Sequence, residues 1–377
     1  MRQISVMCDY QILIRQDYGG VSRYHYEILN YIKQNHKEVE ILIPCLFNRN
    51  TYFSELLNGS LWRYDNKYLN YFVRILNEVY SFLFLIFRLF IGKPVDVVHI
   101  TWYKPFYLRL YLKVVKNKPN VVMTVHDLIH EMNANVNPVL RRGANDRKRC
   151  FSFCNRIIAI SYNTKADLIR FYPGLSNRNI DVIYHGYPKW DKDGLKKEKK
   201  LSQILFVGQR KDYKNFNSLI RALGILKKQG EIFSLICAGG GSFDKGEMDL
   251  IKKFDINECI TQKYMTESEL QECYETSVCF VYPSKYEGFG MPILEAFSSD
   301  CPVLLSNCSC FPEIAGDAAI YFNPNDAEDI ANKIKMILNN QDVQNECIIK
   351  GKERLKIFSW SIASEMTLSV YLKKEGC

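Results

Sequence analysis

The chain has 377 residues, of which 47% are hydrophobic and 24% charged, and it carries a formal net charge of +9. These proportions are ordinary for a globular protein and exclude a disordered or collagen-like chain, and the length predicts two or three domains. The positive charge favours an anionic partner or surface, but no zinc-finger, RNP or helix-turn-helix pattern is present, so we do not expect nucleic acid to be that partner.

Apolar strand-like segments alternate with helical segments along the chain, which is the pattern of parallel α/β sheets. In the first half, strands are predicted at 4–7, 39–44, 95–100, 120–125, 156–160 and 181–184, and helices at 21–34, 69–90, 138–154 and 162–171. A charged, lysine-rich stretch at 187–200 predicts a linker. Beyond it, strands are predicted at 203–207, 233–238, 260–262, 278–282, 303–306 and 319–322, and helices at 215–228, from 292, and at 326–338, 343–355 and 361–373.

The apolar run at 79–91 allows two interpretations. It is shorter than the ~20 residues of a spanning helix, and Arg88 interrupts it. Because its flanks are rich in Lys and Arg, one interpretation is a monotopic membrane contact that anionic lipid attracts. The other is a buried crossover helix of an α/β domain, since a short apolar run cannot be assigned by periodicity alone.

The cysteines and the N-terminal segment indicate the compartment. The chain has 13 cysteines, and the spacings of Cys150 with Cys154 and of Cys308 with Cys310 do not form halves of a four-ligand zinc pattern. We therefore expect free, buried thiols in a reducing cytoplasm. No secretory signal pattern precedes the strand at 4–7, which is consistent with that expectation.

The segment EGFGMPILE at 287–295 is the most informative motif. It follows an apolar strand, and its glycines let backbone N–H groups approach a ligand closely. A helix beginning at Pro292 would place an anion-attracting N-terminus beside the turn. Glu287 lies in the turn and Glu295 about two helical turns later, on a similar face. This layout suits a ligand with a diphosphate in the middle and hydroxyls at both ends, such as a sugar nucleotide.

Arg210 and Lys214 follow the strand at 203–207. Cations pair strongly with phosphate oxygens, and an arginine can do so with two parallel hydrogen bonds. Their i,i+4 spacing at a helix entrance predicts that both point into one cleft. The alternative is a solvated basic turn.

Two further candidates lie in the first half of the chain. Gly19 and Gly20 open the first helix and suit a turn whose N–H groups face a phosphate, although a lone pair of glycines is also an ordinary turn. His126 ends the strand at 120–125, where ligand residues gather in open α/β sheets. His130 is a nearby rival, and the alternative to both is a capping Asp127 beside an incidental histidine.

These motifs, in this order, resemble those of retaining GT-B glycosyltransferases, especially glycosyltransferase family 4. The resemblance is carried by GGVSRY at 19–24, FVGQRKDYKN at 206–215, the E-x7-E segment at 287–295 and FPEIAGD at 311–317. It implies an α/β fold of GT-B type, in which two Rossmann-like parallel-sheet domains, 1–186 and 201–357, face a central cleft. A C-terminal helix within 358–377 would cross back to the first domain.

The resemblance also implies roles for single residues. Glu287 would face the sugar and its developing positive charge, and Glu295 would accept hydrogen bonds from the ribose. His126 would contact the donor sugar. Arg210 and Lys214 would bind the departing diphosphate. The remaining donor-binding positions would be the two N-terminal glycines, the turn before the helix and a residue near the base: Gly19, Gly20, Gly288, Phe289, Gly290, Met291 and Tyr264.

The implied reaction is hexose transfer with retention of anomeric configuration, without metal or cofactor. Asp191 and Asp193 form a D-x-D pattern in the linker, which we interpret as solvated charge. GDP-mannose is the favoured donor, with a UDP-sugar as the alternative. The acceptor would be a glycan, lipid-linked, in synthesis of O-antigen, capsule or exopolysaccharide at the inner face of the cytoplasmic membrane. The non-enzymatic alternative is a catalytically silent scaffold subunit.

Overall fold

The structure, a computed structural model, describes residues 3–56, 62–64, 69–188, 190, 202–210 and 212–373. The chain divides into two compact units. The first consists of Met1–Gly186 and Trp360–Cys377, and the second of Tyr187–Ser359. Most of the predicted linker, including Asp191 and Asp193, lies outside the described residues.

The first unit contains eight strands in its described part: β1 (Ile4–Cys8), β2 (Val39–Leu42), β3 (Phe47–Asn48), β4 (Trp62–Arg63), β5 (Val97–Ile100), β6 (Asn120–Val125), β7 (Arg156–Ala159) and β8 (Ile180–Val182). Six form one parallel sheet in the order β2-β1-β5-β6-β7-β8, and β3 pairs with β4. The central strands are nearly continuous apolar runs because helices cover both faces of such a sheet. The helices that precede β9 are α1 (Gln11–Arg15), α2 (Gly20–Asn35), α3 (Thr51–Leu56), α4 (Asn70–Phe90), α5 (Phe106–Val114), α6 (Ile129–Met132), α7 (Pro138–Phe151) and α8 (Tyr162–Phe171).

Helix α4 contains the apolar run at 79–91. It buries one narrow stripe at helical spacing, made of Val73, Asn77, Ser81 and Leu85. Large apolar side chains are exposed along the rest of its surface: Phe72, Ile75, Val79, Leu83, Phe87 and Phe90. The interpretation as a buried crossover helix therefore holds for one stripe of α4 and is wrong for the rest of its surface, and the membrane contact stays a prediction. Among the described residues, no helix combines the length and the apolar character needed to cross a bilayer.

The second unit contains a second parallel sheet of six strands: β9 (Gln203–Val207), β10 (Ser234–Ala238), β11 (Ile260–Lys263), β12 (Cys279–Tyr282), β13 (Val303–Ser306) and β14 (Ala319–Phe322). Its order is β11-β10-β9-β12-β13-β14. The chain therefore builds outward from β9 in one direction and then from β12 in the other. Such a reversal is a topological switch point, and ligands of open α/β sheets bind outside the carboxyl ends of the strands at that point.

The helices of the second unit are α9 (Phe216–Lys228), α10 (Lys245–Lys253), α11 (Glu267–Thr276), α12 (Met291–Ser298), α13 (Phe311–Ala315), α14 (Ala327–Leu338) and α15 (Gln341–Leu355). The last helix, α16 (Trp360–Leu372), belongs to the first unit, where it packs on α2. His99 Nδ1 lies 2.6 Å from the Tyr371 hydroxyl oxygen, and both residues are buried. Asn120 donates to the Val370 and Tyr371 carbonyls. The predicted return of the C-terminal helix to the first domain is confirmed.

Candidate functional site

The second unit brings predicted site residues together at its switch point. Lys214 ends a short 3-10 turn after β9, and Glu287 follows β12, the strand beside β9. Lys214 Nζ lies 2.5 Å from Glu287 Oε1 and donates to the Tyr282 hydroxyl at 3.0 Å. The Lys214 and Glu287 side chains are 12% and 13% exposed. A cation and a carboxylate that were predicted to bind different parts of one ligand are therefore in direct contact at the sheet edge.

Tyr282 is the third member of this group. Its hydroxyl accepts from Lys214, whose Nζ also lies 5.0 Å from the centre of the Tyr282 ring. Burial and then the neighbouring Glu287 carboxylate hold the pKa of Tyr282 well above its ordinary value. Tyr282 therefore stays neutral and supports Lys214 through both its oxygen and its ring face.

Ser309, which was not among the predicted site residues, fixes the backbone of Glu287. The Glu287 N–H donates to Ser309 Oγ at 3.1 Å, and the Ser309 hydroxyl donates to the Glu287 carbonyl at 2.8 Å. Ser309 has φ +57, a conformation that non-glycine residues seldom adopt. This reciprocal pair holds Glu287 in one place although it precedes the helix.

The turn from β12 to α12 is buried and compact. Gly290 caps α12 with φ +88, and a Cβ there would meet Ile293 Cδ1 at 3.0 Å. Gly288 and Phe289 are also buried, and Met291, half-buried, begins the helix one residue before the predicted Pro292. The N-terminus of α12 therefore follows Glu287 after three buried residues, which is close enough for both to contact one anionic ligand.

Glu295 lies inside α12, 9% exposed. It accepts a hydrogen bond from the Tyr274 hydroxyl at 3.2 Å. Burial, followed by the charge of Glu295, holds the pKa of Tyr274 well above its ordinary value, so Tyr274 remains a donor. The two carboxylates of the motif thus have separate partners, Lys214 for Glu287 and Tyr274 for Glu295.

Arg210 has different partners from Lys214. Its guanidinium donates to Glu247 Oε1 at 2.9 Å and to the Gly239, Gly241 and Ser242 carbonyls at 3.1, 2.7 and 2.9 Å. The side chain is only 3% exposed. These bonds occupy four of the five N–H groups of a guanidinium.

The prediction that Arg210 and Lys214 point into one cleft stays a prediction. Their partners differ because β9 lies between β10 and β12. Arg210 reaches the turn after β10, whereas Lys214 reaches the end of β12. The i,i+4 spacing assumed a helix, but the chain from 208 to 211 is not helical among its described residues.

The turn after β10 has an unusual backbone. Gly239, Gly240 and Gly241 all have positive φ, at +81, +77 and +78. A Cβ on Gly240 would lie 2.6 Å from Arg210 Nη1, so only glycine leaves room for the guanidinium. Tyr264, 75% exposed, lies beside the same turn, since a Cβ on Gly241 would be 3.4 Å from its hydroxyl.

In the first unit, Gly19 caps α2 and Gly20 begins it. The Ser22 N–H donates to Gln16 Oε1 at 3.0 Å, and a Cβ on Gly19 would lie 2.9 Å from the same oxygen. Gln16 therefore takes one N–H group of this turn. Gly20 itself is exposed.

His126, also in the first unit, is 8% exposed and stands after β6. Its Nε2 has no hydrogen-bond partner within the residues that the structure describes. Burial, together with neighbouring His185 and His99, holds the pKa of His126 well below its ordinary value. His126 is therefore neutral, with one ring nitrogen left for a ligand. His130, the rival, lies on α6 and is half-buried.

His126 belongs to a cluster that the sequence did not predict. Three imidazoles contact the Tyr24 ring and a fourth, that of His99, contacts His25, so the cluster consists of His25, His99, His126, His185 and Tyr24. The Tyr24 ring centre lies 5.0 Å from His25, 5.1 Å from His126 and 4.9 Å from His185. The members come from α2, β5 and the segments after β6 and β8, so only the folded sheet brings them together.

Two family models match the chain and together cover most of it. Residues 18–188 match "Glycosyltransferase Family 4" and residues 188–354 match "Glycosyl transferases group 1". The first match includes Gly19, Gly20 and His126. The second includes Arg210, Lys214 and the whole of the 287–295 segment.

Curated relatives are similar over part of their length. The O-antigen chain mannosyltransferase B of Escherichia coli is 31% identical over 170 residues, which are 44% of this chain and 45% of that protein. The O-antigen chain mannosyltransferase RfbU of Salmonella typhimurium is 28% identical over 185 residues, 49% of this chain and 51% of that protein. The chain thus spans about half the length of these relatives.

Solved structures match over nearly the whole chain. Sucrose-phosphate synthase from Thermosynechococcus elongatus superposes with a TM-score of 0.72 at 17% identity, covering 98% of both chains. Anabaena HepE, in complex with UDP and glucose, gives 0.67 at 14% identity, covering 97% of this chain and 98% of that one. At these identities the likeness establishes the fold alone.

Proposed function

The chain belongs to glycosyltransferase family 4 and has a GT-B fold, and from that premise we propose that it is a retaining hexosyltransferase using a nucleotide-sugar donor. The observation that carries the proposal is the contact of Lys214 with Glu287 beside the N-terminus of α12. A fixed cation and a helix N-terminus together suit a diphosphate, and a carboxylate next to them suits the sugar.

In the proposed reaction, the bond between the anomeric carbon and the diphosphate oxygen breaks. The acceptor oxygen forms its bond to that carbon on the same face, and the acceptor's proton passes to the departing phosphate oxygen. Lys214 stabilises the charge that grows on the diphosphate, which is worth more in the transition state than in the ground state. Glu287 faces the positive charge that develops on the sugar, and His126, neutral and with Nε2 unpartnered, contacts the sugar hydroxyls.

Glu295 is proposed to accept hydrogen bonds from the ribose, and Tyr264 to lie near the base. Arg210 is a positioning residue in this proposal rather than a direct phosphate ligand, because its guanidinium already holds the carbonyls of the 239–242 turn. Positive charge from Lys214 and the α12 N-terminus makes a metal unnecessary, so transfer should survive excess EDTA.

We favour GDP-mannose as donor, since the relatives described above are named O-antigen mannosyltransferases. A UDP-sugar is the alternative, because HepE, which shares the fold, binds UDP. The acceptor is proposed to be a lipid-linked glycan in surface polysaccharide synthesis. The exposed apolar side chains of α4 support peripheral attachment to the inner face of the cytoplasmic membrane.

The test is nucleotide binding followed by transfer. GDP, UDP and ADP are compared by thermal shift, since a ligand that binds only the native state raises the melting temperature. We expect GDP to give the largest shift, and Glu295→Ala to reduce it while Glu328→Ala, a change of an exposed side chain on α14, does not. No shift with any nucleotide would refute the donor site and favour a catalytically silent scaffold.

A further inference from the structure

A second concave site lies in the first unit and uses none of the residues assigned above. It is a cavity of about 220 Å³ between α4, α5, α7 and the segment after β5. Four cations line it, namely Arg74, Lys104, Arg109 and Arg149, against the single carboxylate of Asp146. An anion that enters therefore meets a surplus of positive charge.

Asp146 neutralises only part of this charge. Its carboxylate is shared by Lys104 Nζ at 2.9 Å and Arg149 Nη1 at 3.5 Å. Within the described ranges, the guanidinium groups of Arg74 and Arg109 form no ion pair and donate no hydrogen bond. Two arginines with unused planar forks, on different helices, suit a phosphate group better than a single carboxylate.

The same cavity has an apolar side. Phe106 and Phe153 line it, and Phe106 begins a row of exposed apolar residues on α5 that continues through Leu110 and Val114. Helix α5 packs on α4, which also exposes large apolar side chains. The cationic cavity therefore adjoins an apolar surface, which is the arrangement an anionic head and a hydrocarbon chain need.

We propose that this cavity binds the phosphate or diphosphate of the lipid-linked acceptor, with the lipid chain lying along the apolar surface of α4 and α5. The inference rests on the proposed function. A soluble phosphate would make no use of Phe106, and a neutral lipid would make no use of Arg74 and Arg109. A phosphorylated lipid would contact both the cationic side and the apolar side of the cavity.

The wall of the cavity is tied to the edge of the sheet where His126 stands. The Tyr103 ring lines the cavity, and Arg147 Cζ lies 4.2 Å from its centre. Arg147 is buried, donates to the Asp127 carbonyl and pairs with Glu131 at 3.0 Å. Asp127 directly follows His126. A phosphate held in the cavity would thus anchor the acceptor in the unit that carries His126.

Three probes separate the sources of binding: farnesyl diphosphate, inorganic pyrophosphate and farnesol, each titrated by calorimetry. We expect farnesyl diphosphate to bind more tightly than either of the other two. Arg74→Gln and Arg109→Gln should each weaken it at least about tenfold, the loss expected for one charge-assisted contact. Phe106→Ser should weaken farnesyl diphosphate and leave pyrophosphate unchanged.

Arg170→Gln is the matched control, because Arg170 is an exposed arginine of α8 that lines neither this cavity nor the adjoining one of about 380 Å³. It should leave all three affinities unchanged. Equal affinity of wild type and both arginine variants would overturn the inference, as would pyrophosphate binding as tightly as farnesyl diphosphate. GDP and UDP titrated into the same samples test the donor site separately, so its failure cannot be mistaken for failure of the cavity.

Discussion

Lys214 and Glu287 are 73 residues apart in sequence and 2.5 Å apart in space. Each is nearly buried, so each compensates the other's charge in a place where an unpaired charge would be costly. On the proposed function, a donor diphosphate that binds Lys214 would compete with Glu287 for the same cation. The pair would then link the binding of the phosphates to the position of the carboxylate proposed to face the sugar.

Replacing Lys214 with Ala should reduce turnover by ~10²–10³, which is the usual effect of removing one preorganised charged group from a transition state. Steady-state transfer by the folded variant measures it. Lys227→Ala, a change near the end of α9, serves as the control and should retain wild-type turnover. Near-wild-type activity of the Lys214 variant would mean that the cation does not face the leaving group.

Replacing Glu287 with Gln separates binding from chemistry. The amide can still accept from Lys214 but no longer neutralises it, so the nucleoside diphosphate should bind several-fold more tightly than to wild type, since Lys214 loses an anionic competitor. Turnover should fall, because the carboxylate that faces the sugar is lost. Calorimetry measures the affinity for GDP, and a transfer assay measures turnover. Weaker GDP binding in this variant would contradict the competition described above.

Replacing Arg210 with Ala should lower stability as well as activity. It breaks a buried pair with Glu247 and leaves three carbonyls of the glycine turn without their donor, a loss of about 3–5 kcal/mol. Arg210→Lys should recover little, because a point charge cannot reach the same four acceptors. Urea unfolding of the Arg210 variants, compared with that of Lys214→Ala, measures the loss of stability. If the Arg210 variant unfolds at the wild-type midpoint while transfer is lost, Arg210 acts on the diphosphate directly.

The histidine cluster should make the protein sensitive to acid. Burial holds the pKa of His99 and His185 at about 3, and burial with the neighbouring imidazoles holds those of His25 and His126 well below 6.5. Below about pH 6.5 these histidines become protonated in the unfolded chain but stay neutral in the folded cluster. The free energy of unfolding should therefore fall as the pH drops from about 6.5 towards 3, by up to about 1.4 kcal/mol per pH unit for each histidine.

Urea unfolding at a series of pH values tests this, with His185→Phe expected to flatten the slope by about one proton. His36→Gln is the control: His36 has its pKa raised by hydrogen bonds to Glu365 and Glu38, so its removal should not flatten the slope. Asp9 acts in the opposite direction, because burial raises its pKa to about 7 and its folded form keeps the proton. A stability that is flat between about pH 6.5 and 5 would show that the cluster is hydrated.

The exposed apolar side chains of α4 should hold the protein on anionic vesicles, and salt should weaken the attachment. Leu83→Ser with Phe87→Ser should release the protein while leaving it folded, since both side chains are more than half exposed. Sedimentation with the vesicles measures release. Leu85→Ser, on the buried stripe, should instead lower the melting temperature. If the double variant still sediments like wild type, this surface of α4 is not the membrane contact.

Elements with a clear apolar period were predictable from sequence. The strand at 120–125 and the helix at 162–171 were predicted with the bounds that the structure has, because each is a regular run bounded by polar residues. Helices α10 and α11 were missed although their capping boxes, Asp244 with Glu247 and Thr266 with Glu269, are visible in the sequence. Both helices are short, with 9 and 10 residues, and consist mostly of charged and polar residues, which outweighed that signal.

The site could be predicted only as a set of residues, not as a geometry. Glu287 and Lys214 were identified as candidates from their motifs, but their contact depends on β12 lying beside β9. The direction of Arg210 depends in the same way on β10. Ser309 carries no motif of its own, and its role follows from a positive φ that the sequence does not disclose. Strand order is a long-range property, and local patterns do not contain it.

The return of α16 to the first unit has a consequence for how the chain is made. The His99 ring is buried against Tyr371, and the two are 272 residues apart. When the ribosome has synthesised residues 1–186, it has therefore not yet synthesised α16, the helix that covers one face of the sheet formed by those residues. Domains usually fold as they emerge, the N-terminal one first. Here the N-terminal unit must wait, with Tyr24 and its histidines uncovered, until the second unit has been translated.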